Sequence, residues 1–135
     1  MKRGMVFGTF DSLHPGHQWF LERAREACDK LTVVVAQDHD VVLRKGRAPA
    51  QALNDRMSAI RLFLNDATVI AGDDQLGQWR ILERYPIDVC ILGYDQSELL
   101  SALTVYKTTY HRTFQIISFS PYHPDRYKSS LYVRS

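Results

Sequence analysis

The sequence predicts an α/β protein: a three-layer sandwich in which helices cover both faces of a mostly parallel, five-stranded sheet. Short apolar segments rich in β-branched residues alternate along the chain with longer segments whose apolar residues recur at helical spacing. Strands that alternate with helices form right-handed β-α-β units, and such units place their strands parallel in one sheet.

The five strands are recognised by their apolar runs. "LTVVVA", for example, is continuous, apolar and β-branched, as expected for a strand that is covered on both faces. In chain order the predicted strands are Gly4–Phe7, Leu31–Ala36, Ala67–Ala71, Asp88–Leu92 and Phe114–Phe119.

Four helices are predicted between these strands. The first spans Gly16–Lys30, and a polar stretch, Gln37–Ala50, follows the second strand. The second helix has Asn54 as its predicted N-cap, since a side-chain oxygen there can accept a backbone hydrogen bond. The remaining two helices are Leu76–Tyr85, which is stopped by a proline, and Glu98–Tyr110.

Length and composition are those of one globular domain. The chain has 135 residues, and we expect residues 1–135 to form a single domain with its own hydrophobic core. A net charge of +2 does not indicate a nucleic-acid partner or a membrane surface. No apolar run reaches the roughly 20 residues of a membrane span, and no secretory signal is evident. Cys28 and Cys90 are isolated, which favours a reducing, cytoplasmic compartment.

The residues that follow the predicted strands are small or polar. In an open parallel sheet, the ligand crevice lies beyond the carboxyl ends of the strands. The sequence therefore predicts a ligand-binding rim formed by Gly8–Thr9, Asp38, Gly72–Asp73, Gly93–Asp95 and Ser120.

The segment "GTFDSLHPGHQ" joins the first strand to the first helix. His14 and His17 straddle the start of that helix, where unpaired amides and the helix dipole favour an anion. Their spacing places both imidazoles on one face, and Gly16 lets a phosphate approach the backbone. Gly8 and Thr9 add a turn and a hydroxyl, so we predict a polyphosphate site. The alternatives are a capping histidine beside a surface histidine, or a zinc pair, for which no third ligand has a suitable spacing.

This arrangement suits nucleotidyl transfer. An acceptor phosphate, already ionised at neutral pH, attacks the α-phosphorus of a nucleoside triphosphate, and pyrophosphate leaves. Because no protein base is needed, positioning and stabilisation of developing charge carry the catalysis. The Walker pattern GxxxxGK[ST] and the dinucleotide pattern GxGxxG are both absent from the sequence.

The same segment resembles the hallmark GTFDxLHxGH of the cytidylyltransferase-like nucleotidyltransferases, and the resemblance covers essentially the whole chain. It implies a small Rossmann-like domain, usually a homodimer, which uses magnesium bound through the nucleotide phosphates and no metal-ligating side chains. It implies that His14 and His17 bind the triphosphate and stabilise the transition state, and that Asp11 supports the loop. The residues that would line the nucleotide pocket are Gly8, Thr9 and Phe10.

Three further segments resemble the family. "RKGRAP" (Arg44–Pro49) is similar to its mobile basic loop, in which Lys45 would contact the phosphates and contribute to catalysis. Arg56 falls where the family has an arginine opening the next helix, which implies nucleotide binding. "YKSSLYVRS" resembles the serine-rich second signature, which implies that Ser129 and Ser130 bind the β- and γ-phosphates from a short closing helix.

Within the family, "HPGH", "KGR.P", "LGYDQ" and "KSS" together are most similar to the archaeal-type FAD synthetases, which adenylate FMN. This resemblance favours ATP over CTP and implies that Gly93, Tyr94, Asp95 and Gln96 lie near the nucleoside. Two alternatives stay open: a CTP-dependent enzyme acting on glycerol phosphate or a similar polyol or sugar phosphate, and a nucleotide-binding regulator without activity. Aromatic candidates for contact with the acceptor are Trp79, Tyr94, Tyr122 and Tyr127.

Overall fold

The computed structural model describes residues 1–75 and 77–119. In this part of the chain, five strands form one sheet in the order β3-β2-β1-β4-β5, and each neighbouring pair is parallel. The elements are β1 (Arg3–Gly8), α1 (Pro15–Glu26), β2 (Lys30–Val35), α2 (Asp38–Lys45), α3 (Leu53–Phe63), β3 (Thr68–Ala71), α4 (Arg80–Arg84), β4 (Val89–Leu92), α5 (Ser97–Tyr110) and β5 (Gln115–Ser118).

Alternate residues of the strands enter two separate cores. Val6 of β1 packs with residues of α1 and α3, whereas Met5 packs with residues of α4 and α5. Val33 and Val34 of β2 divide in the same way. Helices therefore cover both faces of the sheet, and the predicted three-layer, Rossmann-like architecture is confirmed.

The helices differ from the prediction more than the strands do. All five predicted strands are present with ends that differ by at most one residue, but α1 ends at Glu26 instead of Lys30. The amide of Ala27 closes its last turn, and the amides of Asp29 and Lys30 both donate to the Lys2 carbonyl, which directs the chain into β2. None of the helices in the described ranges is long and apolar enough to cross a membrane.

The starts of α3 and α4 also differ from the prediction. The N-cap of α3 is Ala52, so the prediction that Asn54 caps this helix is wrong; Asn54 lies in its first turn. α4 begins at Arg80, because Trp79 at its N-cap has left-handed backbone angles, with φ at 56°. Leu76, the predicted first residue of this helix, lies outside the described residues.

α2 lies in the polar stretch for which no helix was predicted. Its buried residues are Asp40 and Val41, so it lacks the apolar stripe by which a surface helix is recognised. Gly46, with φ at 76°, ends it in the left-handed conformation. The basic segment Arg44–Pro49 therefore begins in the last turn of a helix and is not wholly a loop.

β1 and β4 are neighbours at the centre of the sheet. The chain winds outward from β1 through β2 and β3 on one side, and from β4 to β5 on the other. In a sheet of this kind the winding direction reverses between the two central strands, and a crevice opens at their carboxyl ends. The topology thus places the ligand crevice beside the segment that contains both predicted cleft histidines.

Candidate active site

A cleft of about 370 Å³ opens at the carboxyl ends of β1 and β4. One wall is the segment from the end of β1 into the first turns of α1, the other is the segment after β4, and the end of α2 contributes to the rim. It is lined by Phe7, Gly8, Thr9, Phe10, Asp11, His14, Gly16, His17, Trp19, Phe20, Arg44, Lys45, Gly93, Tyr94, Asp95 and Gln96. The structure therefore brings together the predicted residues His14, His17, Lys45, Gly8–Asp11, Gly16 and Gly93–Gln96, whereas Arg56 lies outside this lining.

His14 is the N-cap of α1, and backbone amides in the first turn of this helix fix the position of its ring. Its Nδ1 accepts hydrogen bonds from the backbone amides of Gly16 at 3.1 Å and of His17 at 3.4 Å. Pro15, at the first helical position, has no amide to satisfy. An imidazole nitrogen here takes the place of the Ser, Thr, Asn or Asp oxygen that usually caps a helix.

His17 completes a reciprocal cap. Its Nδ1 accepts from the backbone amide of His14 at 3.4 Å, and the two rings stack with centroids 3.6 Å apart and planes 19° apart. Because both Nδ1 atoms accept hydrogen bonds, each neutral ring carries its proton on Nε2. The pair therefore contributes two Nε2–H donors, in one tautomer, at the amino terminus of α1.

Both imidazoles are neutral at pH 7. Burial lowers the pKa of His14 below its usual value. Burial, together with the nearby His14 and Lys45, lowers the pKa of His17 to about 4. His17 is only 8% exposed. A bound polyanion favours the charged form of an imidazole, so it would raise both pKa values.

Phe10 occupies a strained turn beside the histidine pair. Its φ of 52° lies in the left-handed region, which is uncommon for residues other than glycine. Its buried ring packs edge-on against His17, with centroids 5.6 Å apart. A Cβ at Gly8 would lie 2.7 Å from this ring, so any larger residue there would force the ring to move. Phe10 therefore supports His17 as well as lining the cleft.

Asp11 ties the β1–α1 segment to the connection between α2 and α3. Its two carboxylate oxygens accept from the backbone amides of Ala50 at 2.7 Å and Gln51 at 2.9 Å. Burial acts to raise the pKa of this carboxyl, but these hydrogen bonds and the charges of Arg56 and Lys45 lower it overall. Its contacts are those of a residue that supports a loop.

Arg56 lies away from the cleft, and the expectation that it contacts the nucleotide does not agree with its placement. Its side chain is 0% exposed. The guanidinium donates to the carbonyls of Thr9 at 2.9 Å, Ala36 at 2.8 Å and Gln51 at 3.0 Å, and to the Asp38 carboxylate at 2.6 Å. These partners surround the charge inside the protein, so Arg56 joins the segments after β1 and β2 instead of facing a phosphate.

Arg44 and Lys45 bring positive charge to the rim of the cleft. Both side chains are exposed, and the Arg44 Nη2 lies 3.5 Å from the Thr9 hydroxyl oxygen. Lys45 is close enough to His17 and Asp11 to lower the pKa of each, although it is not the largest cause in either case. The last turn of α2 therefore places two cations beside the predicted phosphate site.

The opposite wall follows β4. Gly93, Tyr94 and Asp95 line the cleft, and Gln96 lies beside them. The Gln96 carboxamide accepts from the Gly93 amide at 2.9 Å and donates to the Phe7 carbonyl at 2.8 Å. This wall is thus connected to the end of β1 through one side chain.

Sequence reasoning missed some cleft residues and misplaced others. Phe7, Trp19 and Phe20 line the cleft, but their apolar character is equally typical of core positions. The signal that could have found them is position, since they lie at the end of β1 and in the first turns of α1. Trp79 contacts Phe7 edge-on at 6.0 Å but does not line the cleft.

Several predicted rim residues are also absent from the lining. Asp38 and Gly72–Asp73 lie at the ends of β2 and β3, outside the cleft. Ser120, Tyr122, Tyr127, Ser129 and Ser130 lie outside the described residues. In the described ranges, no group of three or more His, Cys, Asp or Glu residues is arranged to hold a metal ion.

The chain is similar to curated FAD synthases. That of Thermococcus sibiricus is 36% identical over 101 residues, which are 75% of this chain and 68% of that protein. That of Pyrococcus abyssi is 38% identical over 94 residues, which are 70% of this chain and 64% of that protein. The aligned part of the chain thus spans about two thirds of the length of these relatives.

Solved structures and a family profile also match the chain. The lipopolysaccharide core biosynthesis protein of Thermoplasma volcanium superposes with a TM-score of 0.80 at 29% identity, over 91% of this chain and 99% of that one. The pantoate–β-alanine ligase of Francisella tularensis, at 14% identity, shares the fold with a TM-score of 0.63 over 90% of this chain and 60% of that one. The profile described as Cytidylyltransferase-like matches residues 5–135. The chain therefore belongs to the cytidylyltransferase-like family.

Proposed function

We propose that this protein is an adenylyltransferase that transfers AMP from ATP to FMN, forming FAD and releasing pyrophosphate. The observation that carries the proposal is the stacked pair of His14 and His17, whose Nδ1 atoms are bound by backbone amides and whose rings line the cleft. Similarity to the FAD synthases of Thermococcus sibiricus and Pyrococcus abyssi supports ATP as the donor and FMN as the acceptor.

In the proposed reaction an oxygen of the FMN phosphate attacks the α-phosphorus of ATP. The new P–O bond forms opposite the bond between the α-phosphorus and the oxygen that bridges to the β-phosphate. That bond breaks, and the bridging oxygen leaves with pyrophosphate. The attacking phosphate is already ionised at neutral pH, so no side chain has to remove a proton.

The chain's own contribution is to hold the triphosphate and to stabilise its developing charge. Each Nε2–H of His14 and His17 is a neutral donor whose tautomer the backbone fixes in advance, so little reorganisation is needed in the transition state. The dipole of α1 adds partial positive charge at the same place. Lys45, with Arg44, would bind the β- and γ-phosphates, and Ser129 and Ser130 are proposed to add hydroxyl donors.

The remaining cleft residues are proposed to hold the rest of ATP. Gly93, Tyr94 and Asp95 would contact the nucleoside, since they form the wall that follows β4. On the other wall, Gly8, Thr9 and Gly16 would allow the phosphates to approach the backbone closely.

Magnesium is proposed to enter the cleft bound to the triphosphate. Both oxygens of Asp11 accept backbone amides and so support the loop, and phosphate oxygens would be the ligands of the ion. The ion would neutralise part of the charge on the phosphates. We also propose a homodimer in the cytoplasm, and sedimentation of the purified protein tests the dimer.

The test of the proposed function is to incubate the protein with ATP, Mg²⁺ and FMN and to measure FAD and pyrophosphate together. We expect one pyrophosphate for each FAD, and slower turnover when CTP replaces ATP. Turnover with CTP and glycerol phosphate but not with ATP and FMN would favour the cytidylyltransferase alternative. Binding of ATP without any pyrophosphate release, with FMN or other phosphorylated metabolites, would contradict the assignment as an enzyme.

A further inference from the structure

The hydrogen-bond ladder of the sheet is continuous at the carboxyl ends of three strand pairs. There, the amide of the residue after one strand donates directly to a carbonyl of the neighbouring strand. These bonds run from Ala36 to Gly8 at 2.9 Å, from Gly72 to Val35 at 2.8 Å and from Phe119 to Leu92 at 3.0 Å. Each is the bond that the parallel register requires at that position.

The fourth pair, β1 with β4, differs at the cleft. Its paired residues on β1 are Gly4 and Met5, and pairing stops there although both strands continue. If the same register continued, the Gly93 amide would donate directly to the Phe7 carbonyl. Instead, the Gln96 carboxamide lies between them: its Oε1 accepts from Gly93 at 2.9 Å and its Nε2 donates to Phe7 at 2.8 Å.

This inserted carboxamide, the Gln96 bridge, holds the ends of β1 and β4 apart by the breadth of an amide group. Phe7, Gly93 and Gln96 all line the cleft, so the strands separate where the cleft opens. The bridge is itself anchored, because the Gln96 amide donates to the Gly93 carbonyl at 3.2 Å and the Gln96 carbonyl accepts from the Leu100 amide at 3.0 Å. A direct bond between the strands would draw the two walls together.

We propose that Gln96 is a positioning residue that sets the spacing between the ends of β1 and β4 and thereby admits the nucleotide to the cleft. The inference rests on the proposed function in that it takes a nucleoside triphosphate as the ligand. Gln96 acts through Phe7 and Gly93, whereas the reciprocal cap of His14 and His17 uses amides of the α1 terminus. Loss of the bridge therefore weakens nucleotide binding more than it slows the reaction of bound nucleotide.

The first variant is Gln96→Ala, titrated calorimetrically with a non-hydrolysable ATP analogue and Mg²⁺ well below its melting temperature. We expect binding about tenfold weaker than in the wild type, with a matching rise in the KM for ATP and a smaller change in kcat. The matched control is Gln37→Ala. Gln37 donates to the Gly72 carbonyl at 3.0 Å, also at the carboxyl ends of strands but outside the cleft. Its loss should change nucleotide affinity by less than about twofold.

A second variant, Gln96→Glu, gives a readout that loss of packing alone would not. Its ionised carboxylate can accept from Gly93 but repels the Phe7 carbonyl, so binding at pH 8 should be as weak as in Gln96→Ala. Its protonated form can donate to Phe7, and the Phe7 carbonyl raises the pKa of the new carboxyl by repelling the ionised form. Its affinity relative to the wild type should therefore rise about fivefold or more between pH 8 and pH 5.5. The relative affinity of Gln96→Ala should stay constant. Both variants keep the other titratable or charged groups of the cleft, so these groups affect both variants alike. They are His14, His17, Asp11, Asp95, Arg44, Lys45 and Tyr94.

Two results would overturn the inference. One is binding by Gln96→Ala within about twofold of the wild type and of the Gln37→Ala control. The other is a relative affinity of Gln96→Glu that does not change with pH. If the wild type itself bound no ATP analogue, the proposed function would fail first and the role of Gln96 with it, so the two failures are distinguishable.

Discussion

His14 links the charge of the site to the folding of α1. Its Nδ1 accepts two backbone amides, and a ring with a proton on Nδ1 cannot accept there, so the cap exists only while the ring is neutral and carries its proton on Nε2. Burial favours the same neutral form. Because Nδ1 accepts the two amides of α1, the proton of His14 lies on Nε2, where it can be donated to a phosphate.

The first prediction concerns catalysis by this pair. Replacing His17 by Ala removes one donor to the transition state, a loss that commonly costs about 3 to 4 kcal/mol, or roughly 10²- to 10³-fold in kcat. His14→Ala should show a similar loss and a lower melting temperature, because it also removes the N-cap. Initial rates of FAD formation measure the effect, with His39→Ala as a control, since His39 is exposed and outside the cleft. A kcat for His17→Ala within a few fold of the wild type would remove the assigned role.

The second prediction concerns acid stability. The pKa of His17 is about 4 in the folded protein and about 6.5 when unfolded, so the unfolded chain binds the extra proton between these values. Stability from this residue is therefore complete above about pH 6.5 and is lost as the pH falls toward 4, by up to about 3 kcal/mol. Urea unfolding at several pH values measures it. We expect His17→Gln to lose stability less steeply below pH 6.5 than the wild type; parallel curves would contradict the assigned burial of a neutral ring.

At the scale of the element, the strands and the amino terminus of α1 could be predicted from the sequence. The bounds of the other helices were harder to predict. Strands such as Leu31–Ala36 are identified by continuous apolar character, and "HPGH" combines a turn, a first-turn proline and two like side chains. α2 buries only Asp40 and Val41, so no periodic signal distinguishes it from a loop. The direction of Arg56, and the contact of Gln96 with Phe7, depend on long-range packing that spacing along the chain does not encode.

The third prediction concerns the end of α2. Lys45→Ala should raise the KM for ATP about tenfold and reduce the salt dependence of binding, because an exposed cation beside the phosphates is lost. Its kcat should change less. Titration with ATP at two ionic strengths measures this. Arg84→Ala is the control, since Arg84 is also an exposed cation in the last turn of a helix but lies outside the cleft. Equal affinity of Lys45→Ala and Arg84→Ala would place Lys45 outside the phosphate site.

The fourth prediction concerns the connection made by Arg56. Arg56→Met keeps much of the volume but leaves the partly buried carbonyls of Thr9, Ala36 and Gln51 without this donor, which should lower the free energy of unfolding by about 3 kcal/mol. Urea denaturation measures the change. Arg61→Met is the matched control, because Arg61 is exposed and donates to one carbonyl, that of Val69. A loss no larger than in the control would show that the guanidinium does not support these segments.

At the scale of the whole molecule, the cleft is assembled from segments far apart in the chain. The reversal of winding between β1 and β4 creates the opening, and three side chains connect its parts. Asp11 joins the α2–α3 connection to the β1–α1 segment, Arg56 joins the segments after β1 and β2, and Gln96 joins β4 to β1. The fold class and the histidine pair were predictable because each leaves a local pattern, whereas the partners of Asp11, Arg56 and Gln96 become visible only when the sheet is assembled.

The most direct test of the account is a ¹⁵N NMR measurement of the histidine ring nitrogens, with and without ATP and Mg²⁺. Assignment rests on the His14→Gln and His17→Gln spectra. At neutral pH we predict that both cleft rings are neutral with the proton on Nε2, and that ATP shifts their Nε2 resonances while those of His39 and His111 stay in place. A proton on Nδ1 of either ring, or cleft resonances that do not respond to bound nucleotide, would contradict the claim that this pair binds the triphosphate.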